Sequence, residues 1–340
     1  MTCALNPLMI VLAFKCHFKY IYKGGFQGAE GADVGGVWYV ENVLEELDYP
    51  REFYYDKAAG KLYYNQNASE SALPPPGNFV SPEVKVLINI TGTRDAPVKD
   101  VTISGITLRD AAYVNAPHWL GSTRGVPMFF CFMLTCAQHE FFYMAYMHLY
   151  KRYTYMDPHG MPSGGDWCLQ KSGAVVLEGT EHVTLANLTV TKVDGNAVFI
   201  GGYNRNASVL DSEFAWVGDT AIALWGKTEM LLEHEGAGGG GWQPDGTGIN
   251  GTSGNQPRFT AVRGNIIHEL GHYQKQSSMV FQAQSCQTSI TNNIFYNGPR
   301  ANVNFNDQFG GANLVARNLI FNSCRETADH GPFNSWGRQV

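Results

Sequence analysis

The sequence predicts an all-β solenoid, a parallel β-helix. Three observations carry this: a repeat with a period in the twenties, asparagine returning at one register position, and abundant glycine with little charge. Charged residues make up 16% of the 340-residue chain and glycine fills 38 positions, against about 25% and about 7% in an average soluble domain. That balance excludes a coiled coil. A hydrophobic content of 44%, with 13% aromatic residues, excludes a disordered chain.

The repeat is visible when six segments are set in register: VTISGITLRD (101–110), VTLANLTVTKVDGNAVFI (183–200), SVLDSEFAWVGDTAIALW (208–225), TAVRGNIIHELG (260–271), SITNNIFYNGPRANVNF (289–305) and LVARNLIFNSCRETADHG (314–331). Each has a short alternating strand, a small or amide residue, and a second apolar pair. The aligned column reads Gly105, Asn187, Ser212, Asn265, Asn293 and Asn318, with steps of 25 from Asn187 to Ser212, 28 from Asn265 to Asn293 and 25 from Asn293 to Asn318. The step of 53 from Ser212 to Asn265 fits two coils or one coil with an insertion. Short strands without intervening helices at this period make one turn of a solenoid. A leucine-rich repeat would need an L-x-x-L-x-L frame, which is missing. Asparagine in the column predicts amides stacked from coil to coil, each satisfying the next.

Along the chain, residues 1–23 carry no repeat, and their apolar run from Pro7 to Phe14 lacks the preceding basic residue of a secretion signal. Residues 24–100 form a β-rich lead-in or cap, in which EFYYDKAAGKLYY predicts a hairpin turning at Ala58–Gly60, followed by the linker-like PPPG at Pro74–Gly77. The solenoid is expected over 101–340. Within it, residues 126–153 are rich in Phe, Met and Tyr, but Gln138, His139, Glu140 and His148 keep the apolar span below the ~20 residues of a membrane helix. This stretch is expected to lie outside the coils. Residues 226–258, with GAGGGGWQPDGTGINGTSGNQP, predict a long surface loop placed where a substrate lid would sit.

A net charge of −6 with only 24 Lys and Arg gives no broad phosphate-binding surface, which excludes nucleic acid as a partner. The seven cysteines contain no C-x-x-C pair, so neither a zinc ribbon nor a disulfide scaffold is indicated, and no cofactor or metal is expected. Sequons start at Asn67, Asn89, Asn187, Asn206 and Asn250; they point to secretion, with chance turn asparagines as the alternative.

WYVENVLEELDYPREFYYDKAAGKLYY, VDGNAVFIGGYNRN, FAWVGDTAIALWG, IIHELGHYQKQSS, GPRANVNFNDQFGG and CRETADHGPFNSWGRQ together resemble the right-handed parallel β-helix proteins of the pectin-lyase-like superfamily, in particular a group related to β-helix glycoside hydrolases. The resemblance covers roughly residues 24–125 and 154–340. It implies a right-handed solenoid and a hydrolase acting on a carbohydrate polymer or oligosaccharide; the chain is expected to be a monomer, and the sequons give an extracellular location. Two departures stand against it. Residues 126–153 match no rung, and relatives continue with further coils beyond SWGRQ, which marks the chain as partial and leaves its activity open.

Stacked coils place residues one period apart about 4.8 Å from each other, so recurring polar residues form columns. Seven positions after the register column stand Asp194, Asp219, His272, Arg300 and Arg325. The two aspartates read as turn residues. The two arginines lie in polar patches with Asn304, Asn306 and Asp307, and with Glu326, Asp329 and His330. Glycoside hydrolysis needs two carboxylates, ~5–5.5 Å apart for retention and ~6.5–9.5 Å for inversion. Asp307 and Asp329, 22 residues apart, are the expected pair, with Glu269 as a further acid/base or sugar ligand. Arg300, Arg325, His272, His330, Asn304 and Trp242 are the expected substrate-binding residues, gathered with the acids in one groove beside the 226–258 loop. The alternative for Asp307 and Asp329 is structural pairing with the arginines. HELGH (268–272) spells a zinc-protease motif, but it follows a strand pattern and lacks the helix that would bring both histidines to one face. Trp216, Trp225, Tyr273 and Trp336 join Trp242 as aromatics able to stack on a pyranose. Two further readings stay open: a Ca²⁺-dependent lyase, for which no tight acidic cluster is visible, and a non-catalytic carbohydrate-binding or adhesin β-helix.

Overall fold

The computed structural model describes residues 2–4, 39–67, 79–112, 172–226, 255–273, 277–283, 285–305, 311–326 and 331–335. Residues 126–153 and most of the Gly-rich loop fall outside these. The chain divides into two compact units, 1–81 and 82–340. In the first, Thr2–Ala4 pairs in parallel with Tyr39–Glu41, and Phe53–Asp56 pairs antiparallel with Lys61–Tyr64. The hairpin turns where expected, because Asp56 Oδ1 accepts the Ala58 and Ala59 amides at 2.9 and 3.0 Å and so closes the loop locally.

The second unit is a parallel β-helix of three sheets. The first holds Thr102–Ser104, Thr184–Ala186, Ser208–Leu210, Ala261–Arg263, Ser289–Thr291 and Leu314–Ala316. The second holds Thr107–Arg109, Thr189–Val193, Glu213–Val217, Ile266–Leu270, Ile294–Tyr296 and Leu319–Phe321. The third runs through Ile88–Thr91, Val175–Glu181, Val198–Arg205, Ile222–Trp225, Val280–Ala283, Val303–Phe305 and Phe333–Ser335. Since Ile88–Thr91 already pairs with Val175–Glu178, the coils begin before residue 101.

Period-two alternation decides which side chains enter the core. The strand centres align as Leu185, Val209, Val262 and Ile290 in the first sheet and as Val190, Phe214, Ile267 and Phe295 in the second, all fully buried. Each such side chain contributes about 1.5–3 kcal/mol relative to exposure. Ser208–Leu210 pairs directly with Ala261–Arg263, so the 53-residue step is one coil carrying an insertion.

The amide stack exists, displaced at one end from the expected column. Asn293 Oδ1 accepts from the Asn265 backbone N–H at 2.9 Å and from Asn265 Nδ2 at 3.0 Å, and Asn318 Oδ1 does the same for Asn293 at 2.9 Å in both cases. The second proton of each amide goes to a carbonyl of a neighbouring coil. Ser212 continues the column, but Leu188 and not Asn187 precedes it. Asn187 and Gly105 instead take the left-handed corner, φ 51° and 73°, that Asp211, Gly264, Asn292 and Arg317 occupy in later coils. A column of residues with positive φ lies at each of the three corners. After the second sheet it reads Asp110, Lys192, Trp216, Glu269, Asn297 and Asn322; after the third, Asp100, His182, Asn206, Phe259, Gln287 and Ala312. One such residue per corner bends the chain without breaking the ladders.

Candidate functional site

Glu269 takes the left-handed conformation one residue before the end of Ile266–Leu270, so both it and His268 face outward while Ile267 and Leu270 are buried. Its carboxylate accepts a hydrogen bond from Asn297 Nδ2, and Asn297 Oδ1 accepts in turn from Asn322 Nδ2 on the next coil. Arg325 Nη1 lies 3.3 Å from Glu269 Oε2. One rung to the other side stands Trp216, in register with Glu269 and 50% exposed. His272 stacks on it with ring centroids 5.3 Å apart. Tyr273 follows, 49% exposed, its ring lying over Gly218, where a Cβ would overlap both that ring and the Asp194 carbonyl. The corner thus combines an indole, a phenol and an imidazole with an oriented carboxylate and guanidinium, as saccharide recognition requires: apolar ring faces for C–H groups and charged forks for hydroxyls.

Three residues expected in one groove, Glu269, His272 and Arg325, share this corner. Arg300 does not: it is 2% exposed, inside the coil, in the column Asp219, Ser277, Arg300. Asn304 is fully buried, accepting from Asn334 at 2.8 Å. Both are therefore enclosed, whereas the expectation had them facing substrate. Asp307, Asp329, His330 and Trp242 lie outside the described residues, as does Trp336. Trp225 is buried against Phe281, centroids 5.4 Å apart.

The equal offset of Arg300 and Arg325 conceals different paths. Asn297 and Val303 are close in sequence, but the connection from Asn322 to Phe333 is five residues longer, and the Arg325 amide bonds to the Gly298 carbonyl instead of tracking Arg300. His268 and His272 do not converge. Ile266–Leu270 is a strand, and His268 stacks on Tyr296, centroids 4.8 Å apart, which stacks on Phe321 at 5.0 Å. In that column Tyr296 has a ring stacked on each face, so its faces are not available to a ligand.

Two carboxyls read as turn residues are perturbed. Asp194 is half-buried, and desolvation, then the nearby Asp110 charge, raise its pKa. Asp219 is fully buried, which pushes its pKa up to about 7 despite hydrogen bonds from Ser277 and Thr220. Neither shift was visible in the sequence, because a V-x-D turn looks the same whether its carboxyl faces in or out. Among the described residues no three His, Cys, Asp or Glu side chains converge as a metal site would need, and no helix is long and apolar enough to cross a membrane.

Residues 173–337 match the family described as "Right handed beta helix region". A solved structure titled "Glycoside hydrolase" aligns over 84% of this chain and 58% of its own, at 14% identity and a TM-score of 0.35. The chain therefore spans little more than half the length of that protein. A comparison with curated proteins finds no match.

Proposed function

With residues 173–337 forming a right-handed β-helix region, we propose that the chain is a glycan-directed protein that holds saccharide along the corner after the second sheet and hydrolyses it there. The observation that carries this is the half-exposed Trp216, backed by His272, one rung from the Glu269–Arg325 pair. A pyranose face on the indole brings its hydroxyls over the carboxylate and guanidinium on the adjacent rung, about 4.8 Å away. In this reading Glu269 acts as base or nucleophile, its carboxylate hydrogen-bonded by Asn297 and paired with Arg325. The protonated partner that glycoside cleavage demands is assigned to Asp329 or Asp307, which in sequence come after the strands Leu319–Phe321 and Val303–Phe305. The resemblance to β-helix glycoside hydrolases supports the same assignment, as do the five sequons for a secreted protein; Asn187 and Asn206 stand exposed at corners.

A non-catalytic carbohydrate binder is the second reading. Its support is that both Glu269 oxygens already have protein partners. The experiment is calorimetric titration with a panel of plant and algal polysaccharides, alongside measurement of released reducing ends. Trp216→Ala should weaken binding roughly tenfold, in line with the loss of one stacked ring. Glu269→Gln and Asp329→Asn should retain binding and abolish turnover. Unchanged affinity in Trp216→Ala would refute the site, and binding without turnover in the unmodified chain would leave the second reading standing.

A further inference from the structure

The interior of the solenoid changes character at the corner between the third and first sheets. Three buried columns run past it. Before the corner, the core residues Leu177, Ile200 and Leu224 are followed in register by Gln282; after it, Val183 and Ala207 are followed by Thr260 and Thr288. At the corner itself stand Thr180, Asn204, Pro257 and Ser285, the last set opposite Pro257 by the Arg258–Cys286 bridge. Gln282, Ser285, Thr260 and Thr288 are each no more than 2% exposed.

Earlier and later coils treat this polarity differently. In the earlier ones Thr180 Oγ1 donates to Asn204 Oδ1 at 2.6 Å, and Asn204 Nδ2 donates to the Gly201 and Leu177 carbonyls at 2.6 and 3.3 Å. That carboxamide is fully used. In the later coils proline offers no polar side-chain atom at this place, and serine stops at a hydroxyl. Among the described residues, Gln282 Oε1 and Nε2, Ser285 Oγ, Thr260 Oγ1 and Thr288 Oγ1 are buried without a hydrogen-bond partner. Each has given up its hydration with nothing in return, and they are gathered at one corner.

We propose that the inside of this corner binds an ordered internal water, held by Gln282 and Ser285 with the Thr260 and Thr288 hydroxyls, in the place that the Asn204 carboxamide fills two coils earlier. A buried water needs two to four polar partners that can both donate and accept; a carboxamide supplies one of each, and hydroxyls rotate to supply either. The set contains no charged side chain, which selects a neutral guest over an ion. The chain rejoins the stack at Pro257–Arg258, so the water completes the first rungs after the inserted segment. This site is separate from the saccharide corner and does not rest on that reading.

The direct test is a crystal structure of the full chain in which solvent is ordered. A peak within hydrogen-bond distance of at least two of the four side chains is expected. An empty corner, or direct hydrogen bonds that satisfy the four side chains among themselves, would overturn the proposal, as would a peak that rubidium replaces on soaking, since that guest is an ion. In solution, magnetic relaxation dispersion of water oxygen-17 counts the long-lived waters of the same chain. Ser285→Asn, which restores a carboxamide, should remove one such water and leave the melting temperature equal or higher. Arg263→Gln, at an exposed position of the first sheet, should leave the count unchanged. An unchanged count in folded Ser285→Asn refutes the site, and should that variant fail to fold, the crystal structure of the unmodified chain still decides.

Discussion

Replacing Asp219 by Asn should change how stability depends on pH. In the folded chain Asp219 is 2% exposed, with Oδ1 bonded to Ser277 at 2.9 Å and Oδ2 without a partner. Burial keeps it protonated up to about pH 7, whereas an unfolded chain releases that proton near 3.8. Between those values the unfolded state binds fewer protons, so stability is complete below the window and falls as pH rises through it. At about 1.4 kcal/mol per tenfold difference in proton affinity, the gap amounts to about 4 kcal/mol once pH exceeds 7. Asparagine keeps an acceptor for Ser277 and cannot ionise. Urea unfolding of both proteins across pH ~4 to ~8.5 isolates the effect, since all other groups cancel in the difference. The two should be nearly equal at the acid end, and Asp219→Asn should be more stable by about 4 kcal/mol at the alkaline end. A difference that stays constant with pH would refute the reasoning.

Asn293→Ala should cost about 2–4 kcal/mol in the same unfolding assay, because it leaves the buried Asn265 amide and the Val262 carbonyl without partners. Gly218→Ala forces a Cβ into the Asp194 carbonyl and the Tyr273 ring; it should destabilise by roughly 3 kcal/mol or more and weaken saccharide binding, read by thermal melting and calorimetry. Arg325→Ala breaks an ion pair whose arginine is 48% exposed, so stability should fall by no more than about 1 kcal/mol while saccharide affinity drops measurably.

What the sequence conveyed depended on how strongly physics ties residue type to position. The amide column was readable because only a stacked amide satisfies both the facing backbone N–H and its own polar atoms inside a core, which fixes Asn265, Asn293 and Asn318. Asn187 misled because asparagine is equally suited to a left-handed corner, and one residue of offset separates the two uses. Trp216 and Phe259 show that such corners also accept bulky side chains, so residue type does not identify them. Offset counting brought Glu269, His272 and Arg325 to one corner but failed for Arg300, because connector length decides whether a residue turns inward. The buried polar set of Gln282, Ser285 and Thr288 went unseen, since only the register across an insertion puts Pro257 and Ser285 in the column of Asn204.

That insertion has a broader implication. The chain leaves the stack after Trp225 and rejoins it at Pro257–Arg258, yet Ile222–Trp225 meets Val280–Ala283 and Ser208–Leu210 meets Ala261–Arg263 as though nothing intervened. Cohesion here is carried by a continuous spine of ladders and stacked amides, while the insertion interrupts a single rung of the third sheet, opposite the middle of Val198–Arg205. The two can change on separate schedules. A lineage could lengthen, shorten or exchange the inserted segment without renegotiating the core. An engineer could likewise graft a foreign loop between Gly226 and Gln256, and the fitness of the graft would be judged by what it touches outside the spine.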